Sequence, residues 1–214
     1  MLPLALALAL ALHSALSDIF ARNFALTLRH TRVHTRTSGH PQLHGDIAAK
    51  LTVLEALFQH CRKLKSVDLW FWTGIFRTAA LPRQRIAALL QLACENCRDL
   101  EELDLGWTGL VDHAVATLTT CIQNGMLSKI KKLFLTHGTR FGKEFIRAVA
   151  DRCQDLRQFD VLGSPVDAAT IDVLLGCCPR LAMVDLSFCK NISAHDVTRM
   201  KQNFPAVDIK RSYT

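Results

Sequence analysis

One frame recurs along the chain: Cys, two residues, Leu, two residues, an apolar residue, Asp, then Leu or Val. It reads Cys61-Arg-Lys-Leu-Lys-Ser-Val-Asp-Leu69, Cys97-Arg-Asp-Leu-Glu-Glu-Leu-Asp-Leu105, Cys153-Gln-Asp-Leu-Arg-Gln-Phe-Asp-Val161 and Cys178-Pro-Arg-Leu-Ala-Met-Val-Asp-Leu186. A fifth copy, Leu127-Ser-Lys-Ile-Lys-Lys-Leu-Phe-Leu135, lacks the Cys and replaces the Asp with Phe134. A worn sixth ends in Val207-Asp208-Ile209. Positions 68, 104, 134, 160, 185 and 208 are thus separated by 36, 30, 26, 25 and 23 residues. Self-similarity at that period, with a Leu-x-x-Leu-x-Leu core, is the signature of a leucine-rich repeat. The expected fold is α/β: a solenoid of about six units with parallel strands on the concave face and helices on the convex face.

The spacing within a unit supplies the reason. In Leu181-x-x-Val184-x-Leu186 the last two apolar residues are two apart, so on a strand they share one side, and Asp185 faces the other. One unit cannot bury its apolar side alone; stacked units bury a continuous core. The expected domain layout is a targeting-like or disordered segment, 1–45, followed by the repeats, 46–214.

Between the strand frames the apolar residues recur at helical spacing. Ile47, Leu51, Leu54, Leu57 and Phe58 share a face behind Asp46 as a plausible N-cap. A linker runs from Gly74 to Pro82. Ile86, Leu89, Leu90 and Ala93 stripe a helix over 83–96. Val115, Leu118 and Ile122 do so over 113–123, capped by Asp112 and broken at Gly125. Phe145, Ile146, Val149 and Ala150 mark the next helix. Ile171, Leu174 and Leu175 follow a turn marked by Pro165 and Asp167. Ser193 and Asp196 resemble a capping box ahead of Val197, Met200 and Phe204. Pro205 then stops that helix, and a short strand over 207–209 closes the array.

The candidate partner surface is the outward row: Asp68, Asp104, Phe134, Asp160, Asp185 and Asp208, with Trp70 just beyond the first strand. Two readings of the carboxylates compete. In one, each Asp accepts hydrogen bonds from loop amides and does nothing further; the sequence leans to this one. In the other, the row is an acidic strip that receives a basic or amide-rich segment of a partner. Trp70 packs beneath its loop or anchors a partner, tryptophan being favoured in binding hot spots. Phe134 is expected to stand exposed on the inner curve.

Composition removes several alternatives. Half of the 214 residues are hydrophobic, which excludes global disorder. The net charge is +7, but Arg22, Arg29, Arg32 and Arg36 face only Asp18 before residue 46, leaving 22 basic and 18 acidic residues in the repeats. An excess of four is too mild for a nucleic-acid-binding surface. Four of the eight cysteines sit at the repeat position, where a small buried side chain fits, so reduced thiols and an intracellular protein are expected. Cys94 and Cys97 form a lone Cys-x-x-Cys with no second pair at zinc spacing, and Cys97 already belongs to the repeat. His30, His34, His40 and His44 include two His-x3-His pairs without a Cys to complete a finger, and read as a polar linker. No cofactor, metal or catalytic set is expected: no Gly-rich phosphate loop, Gly-x-Ser-x-Gly elbow or His-Glu-x-x-His helix is present.

The start of the chain has its own composition. The apolar run of residues 2–12 is short of the roughly 20 residues a membrane helix needs, so no integral span is expected. Arg, Thr, Ser and His then accumulate with no acid between Asp18 and Asp46, closer to a mitochondrial presequence than to a secretory signal, which lacks its basic start here. A secretory signal or anchor, and an unstructured start, are the other readings.

Cys-terminated repeats of this kind resemble those of the F-box/leucine-rich-repeat proteins. Leu100-Glu-Glu-Leu-Asp-Leu-Gly-Trp107, Lys132-Leu-Phe-Leu-Thr136, Asp160-Val-Leu-Gly163, Asp185-Leu-Ser-Phe-Cys189 and Phe204-Pro-Ala-Val-Asp-Ile-Lys-Arg-Ser-Tyr-Thr214 carry the likeness, within residues 97–214 above all. The resemblance implies a non-catalytic module that recognises substrates for a Skp1–cullin–F-box (SCF) ubiquitin ligase, and, through a mitochondrial member of the family, a mitochondrial setting. Nothing before Asp46 reads as an F-box, so Skp1 is expected as a partner only of a longer form. The alternative is an F-box-less scaffold or assembly factor for a mitochondrial complex.

Overall fold

The computed structural model describes residues 47–69, 83–108, 110, 112–137 and 141–212, all within one unit, Asp46–Thr214. Among the described residues helices and strands alternate: α1 (Ile47–His60), β1 (Ser66–Asp68), α2 (Arg83–Asn96), β2 (Glu102–Asp104), α3 (Asp112–Gln123), β3 (Lys132–Phe134), α4 (Lys143–Arg152), β4 (Gln158–Asp160), α5 (Ala168–Cys177), β5 (Met183–Asp185), α6 (Ala194–Asn203) and β6 (Asp208–Lys210). The helices follow the apolar stripes closely; Asp112 lies in the first turn of α3 rather than ahead of it. The Asp46 cap, the histidine-rich segment, the Gly74–Pro82 linker and the Trp70-Phe71-Trp72 run fall outside the described residues.

The strands form one parallel sheet in chain order, β1 to β6. Val67, Leu103, Leu133, Phe159, Val184 and Ile209 pair in register and make the inward row. All six are at most 5% exposed. The ladder runs one step past each strand, as the next amide reaches the neighbouring carbonyl: Leu105 N to Phe134 O at 2.8 Å and Leu135 N to Asp160 O at 2.7 Å. Helices α1 to α5 pack each on the next behind that row. Neighbouring strands lie about 4.8 Å apart, while packed helices need about 8–10 Å. The array therefore curves with its strands inside.

The sixth unit departs from expectation by two residues of register, although the bounds of its strand move by one. β6 covers 208–210 instead of 207–209, because Ile209, not Val207, pairs with Val184 and is buried. Asp208 consequently pairs with Met183, and Lys210 takes the place beside Asp185. Asp208 is not a member of the Asp row. Phe204 is the half-buried C-cap of α6 rather than part of its buried stripe.

Cysteine serves the stack as the frame implies. The Cys97 thiol donates to the Cys61 carbonyl at 3.6 Å, Cys153 to Leu127 at 3.5 Å and Cys178 to Cys153 at 3.9 Å, each reaching the preceding unit. Burial pushes the thiols of Cys97, Cys153 and Cys178 up to about 12, so they stay protonated and unreactive at neutral pH. All eight cysteines are free. Cys94 of α2 is buried, and its neighbour Cys121 of α3, together with burial, raises its pKa.

Caps and ion pairs fix each unit to the next. Ser193 and Asp196 form the expected capping box, Asp196 N donating to Ser193 Oγ at 3.1 Å and Ser193 N to Asp196 Oδ2 at 2.9 Å. Bidentate Arg85–Glu55 and Arg199–Asp172 pairs join neighbouring units on the helical side. Asp167 caps α5, accepting from Thr170 N at 2.9 Å, and pairs with Lys143 of the preceding unit at 2.7 Å. The ammonium of Lys143 and the Thr170 donors hold the Asp167 carboxyl down at about 2. A depressed carboxyl contributes stability that is complete above its ordinary pKa near 4 and disappears as pH falls toward about 2. Asp167→Ala is expected to cost about 1 kcal/mol at pH 7, the usual loss of an N-cap. The deficit relative to the parent should shrink between pH 4 and pH 2, as read by denaturant titration at each pH.

Candidate functional site

The outward side of the sheet carries two rows. One is Ser66, Glu102, Lys132, Gln158, Met183 and Asp208; the other is Asp68, Asp104, Phe134, Asp160, Asp185 and Lys210. On a chain of net charge +7 the second row sets four carboxylates against one ammonium. Trp70 lies outside the described residues, so the structure places five of the six strand candidates in this row and moves Asp208 to the other.

The carboxylates do structural work first. Asp104 Oδ1 accepts from Gly106 N at 2.8 Å, Asp160 Oδ1 from Leu162 N at 2.9 Å and Asp185 Oδ1 from Ser187 N at 2.9 Å. Each Asp thereby pins the turn that follows its strand by a bond to the amide two residues on. This is the loop-amide role expected of the consensus. It engages one oxygen through these bonds and leaves the negative charge on the face. Asp160 and Asp185 are direct cross-strand partners. Burial raises the Asp160 pKa, the Asp185 charge adds to the rise, and the Leu162 amide, the Thr136 hydroxyl and His137 oppose it. Phe134, between Asp104 and Asp160 in the row, is half-buried rather than fully exposed.

A further row was not anticipated. Three residues past each row position, the backbone turns with positive φ: Trp107 at 59°, His137 at 54°, Gly163 at 69° and Phe188 at 59°. The ladder bonds place them side by side, since Trp107 N donates to Thr136 O, His137 N to Leu162 O, Gly163 N to Ser187 O and Phe188 N to Ser212 O. Left-handed backbone suits glycine and costs an L-residue roughly 1–2 kcal/mol. Three of four positions nevertheless hold large rings. Trp107 and Phe188 are 44% and 43% exposed, the two exposed large apolar side chains among the described residues. The His137 ring lies 3.9 Å from that of Trp107, tilted by 42°. It also leans over Gly163, where a Cβ would sit 2.7 Å from His137 Nδ1. Gly163 is therefore required twice, by its φ and by the ring above it. The signal lay in the sequence as row residue-Leu-x-ring: Trp107, His137 and Phe188 each fall three places after the row position, Asp104, Phe134 and Asp185. The same frame place is Phe71 in the first unit and Tyr213 beyond Lys210, both outside the described residues.

Among the described residues no three His, Cys, Asp or Glu side chains converge to hold a metal ion, and no helix is long and apolar enough to cross a membrane.

Parallel strands in chain order, each preceded by a helix and the first five built on the Leu-x-x-apolar-x-Leu frame or its close variants, define a leucine-rich-repeat solenoid with an open, ring-edged inner face. Over 155 residues the chain is 34% identical to F-box/LRR-repeat protein 4 of Bos taurus; the aligned stretch is 72% of this chain and 23% of that protein. The repeats are thus similar to part of an F-box/LRR-repeat protein, and the chain spans about a quarter of the length of the relative it matches. No protein-family profile matches the chain. Among solved structures, the tropomodulin C-terminal domain of Caenorhabditis elegans superposes with a TM-score of 0.51 at 17% identity, covering 76% of this chain and 93% of that one, a likeness of fold alone.

Proposed function

We propose that the inner face of this array is a protein-docking surface that recognises substrates in the manner implied by the F-box/leucine-rich-repeat proteins, as the recognition part of an SCF ubiquitin ligase. The observation that carries the reading is the outward row together with the exposed rings of Trp107 and Phe188 three residues beyond it, on a scaffold 34% identical over 155 residues to F-box/LRR-repeat protein 4. Folded monomers bury large rings where they can; rings held out on strained backbone are supported by use rather than by stability. The module works without catalysis of its own: it holds a partner while a separate enzyme transfers ubiquitin. Skp1 is a partner in this reading only if a longer form carries an F-box. A mitochondrial setting, supported by the Arg-rich, acid-poor composition of residues 19–45, is part of the same proposal.

The test compares proteins captured by the parent and by a Phe134→Ala, Lys132→Glu variant. Substrates should be lost from the variant and should accumulate, with less ubiquitin attached, when the chain is depleted. Capture without any change in abundance, together with loss of an assembled complex on depletion, would replace the ligase reading by the scaffold one. Phe134→Ala alone is expected to weaken capture about tenfold while lowering the melting temperature by only a few degrees, because the ring is already half in water. Import of the fluorescently tagged chain into isolated mitochondria checks the compartment.

A further inference from the structure

We propose that the ledge of Trp107, His137 and Phe188, with the Asp160 and Asp185 carboxylates beside it, is the docking site for an extended partner segment that carries an arginine between apolar side chains. The inference rests on the reading of the inner face as a protein-docking surface and gives that surface a chemistry.

Three observations point to this occupant. The first is reach. Trp107 and Phe188 are three strand steps apart, about 14 Å at 4.8 Å per step. An extended segment rises about 3.3 Å per residue, so some four to five residues lie across the ledge. The second is charge. Asp160 and Asp185 face one another across adjacent strands, and like charges directly opposite are unfavourable. Their amide partners, Leu162 and Ser187, are neutral; His137 acts on Asp160 and Lys210 stands beside Asp185, and an incoming cation between the two carboxylates would relieve the rest of their repulsion. Lys210, beside Asp185, is the one cation in that row. The third is shape. Trp107 stands past β2 and Phe188 past β5, the strand that carries Asp185, so one exposed ring shares the rung of a carboxylate and the other lies further along the row. His137 is tilted against Trp107 and lies close to Gly163.

A guanidinium matches this surround better than an ammonium. It is planar, weakly hydrated, stacks on ring faces and can bridge two carboxylates with its fork of N–H donors. Apolar neighbours of the arginine would then cover Trp107 on one side and Phe188 on the other.

The experiment pans phage-displayed random linear peptides, about a dozen residues long, against the full chain, and measures the affinity of the enriched peptides by fluorescence anisotropy. The proposal expects a shared arginine with an apolar residue two or three places away. Arg→Lys in the peptide should weaken binding about tenfold and Arg→Glu should abolish it. Trp107→Gly and Phe188→Gly should each lower affinity about tenfold or more. Glycine is the residue the local φ accepts, so these variants keep the fold, which circular dichroism verifies. Asp160→Asn with Asp185→Asn keeps an acceptor for both turn amides while removing the charges, and should weaken the arginine peptides to the level of their lysine versions. Enriched peptides without arginine, or affinities unchanged by the ledge and Asn variants, overturn the proposal. If binding instead falls with Phe134→Ala and Lys132→Glu alone, the ledge is wrong and the docking face stands. A library with nothing sensitive to either set overturns both.

Discussion

Phe159→Ala is expected to remove about 3–5 kcal/mol of stability, the range for deleting a fully buried phenylalanine. Phe159 has no solvent exposure and stands in the middle of the inward row, paired with Leu133 on one side and Val184 on the other. The units there cannot close inward to fill the gap, because strand spacing is fixed by the hydrogen-bond ladder and the helices behind already touch one another. A domain of this size is typically stable by about 5–15 kcal/mol, so the variant should melt roughly 10 °C lower and unfold at markedly less denaturant. Phe134→Ala is the natural control. It is the same substitution one strand earlier on the opposite face, and it should barely move the midpoint. Equal losses would mean that Phe134 is core and that the outward row offers no ring to a partner.

Gly163→Val is expected to be the most damaging change on the surface side. The φ of 69° admits an L-residue only at a cost of about 1–2 kcal/mol, more for a β-branched one. The new Cβ would sit 2.7 Å from His137 Nδ1 and 2.8 Å from its Cε1, so the ring must leave its place against Trp107. Together these effects amount to about 3 kcal/mol, overpacking strain included. Denaturant midpoints measure the loss, and a shifted Trp107 indole N–H resonance reports the displaced ring. Trp107→Gly or Phe188→Gly should run the other way, close to neutral, since each relieves left-handed strain while giving up little burial. A strongly destabilised Trp107→Gly would show the ring to be a structural prop.

Much of this architecture can be read before any coordinates. The Leu-x-x-apolar-Asp frame fixes both the period-2 strand face and the helical return, which is why β1 to β5 fall where Val67, Leu103, Leu133, Phe159 and Val184 predict. The turn role of Asp104, Asp160 and Asp185 is equally legible, since an Asx side chain two residues before an amide is a local arrangement. The sixth unit was misaligned for a physical reason. Val207-Asp208-Ile209 mimics apolar-Asp-apolar, and with a period of 2 either register turns apolar side chains inward; burial of Ile209 opposite Val184 decides it. The ledge escaped because the rule for left-handed turn positions predicts glycine or asparagine. Only Gly163 obeys it, while Trp107, His137 and Phe188 do not. The aromatics that the strand pattern itself singles out, Trp70 and Phe134, lie on or next to strands.

The strand order that simply follows the chain has a consequence for how this surface can vary. Among the described residues each strand pairs only with the one before and the one after, so the sheet holds no crossover to disturb. Duplicating or losing a whole unit near either end would lengthen or shorten the recognition strip by one rung and leave the remaining rungs as they were. Selectivity in such a protein can therefore drift rung by rung, by exchanging the residue three places past each strand.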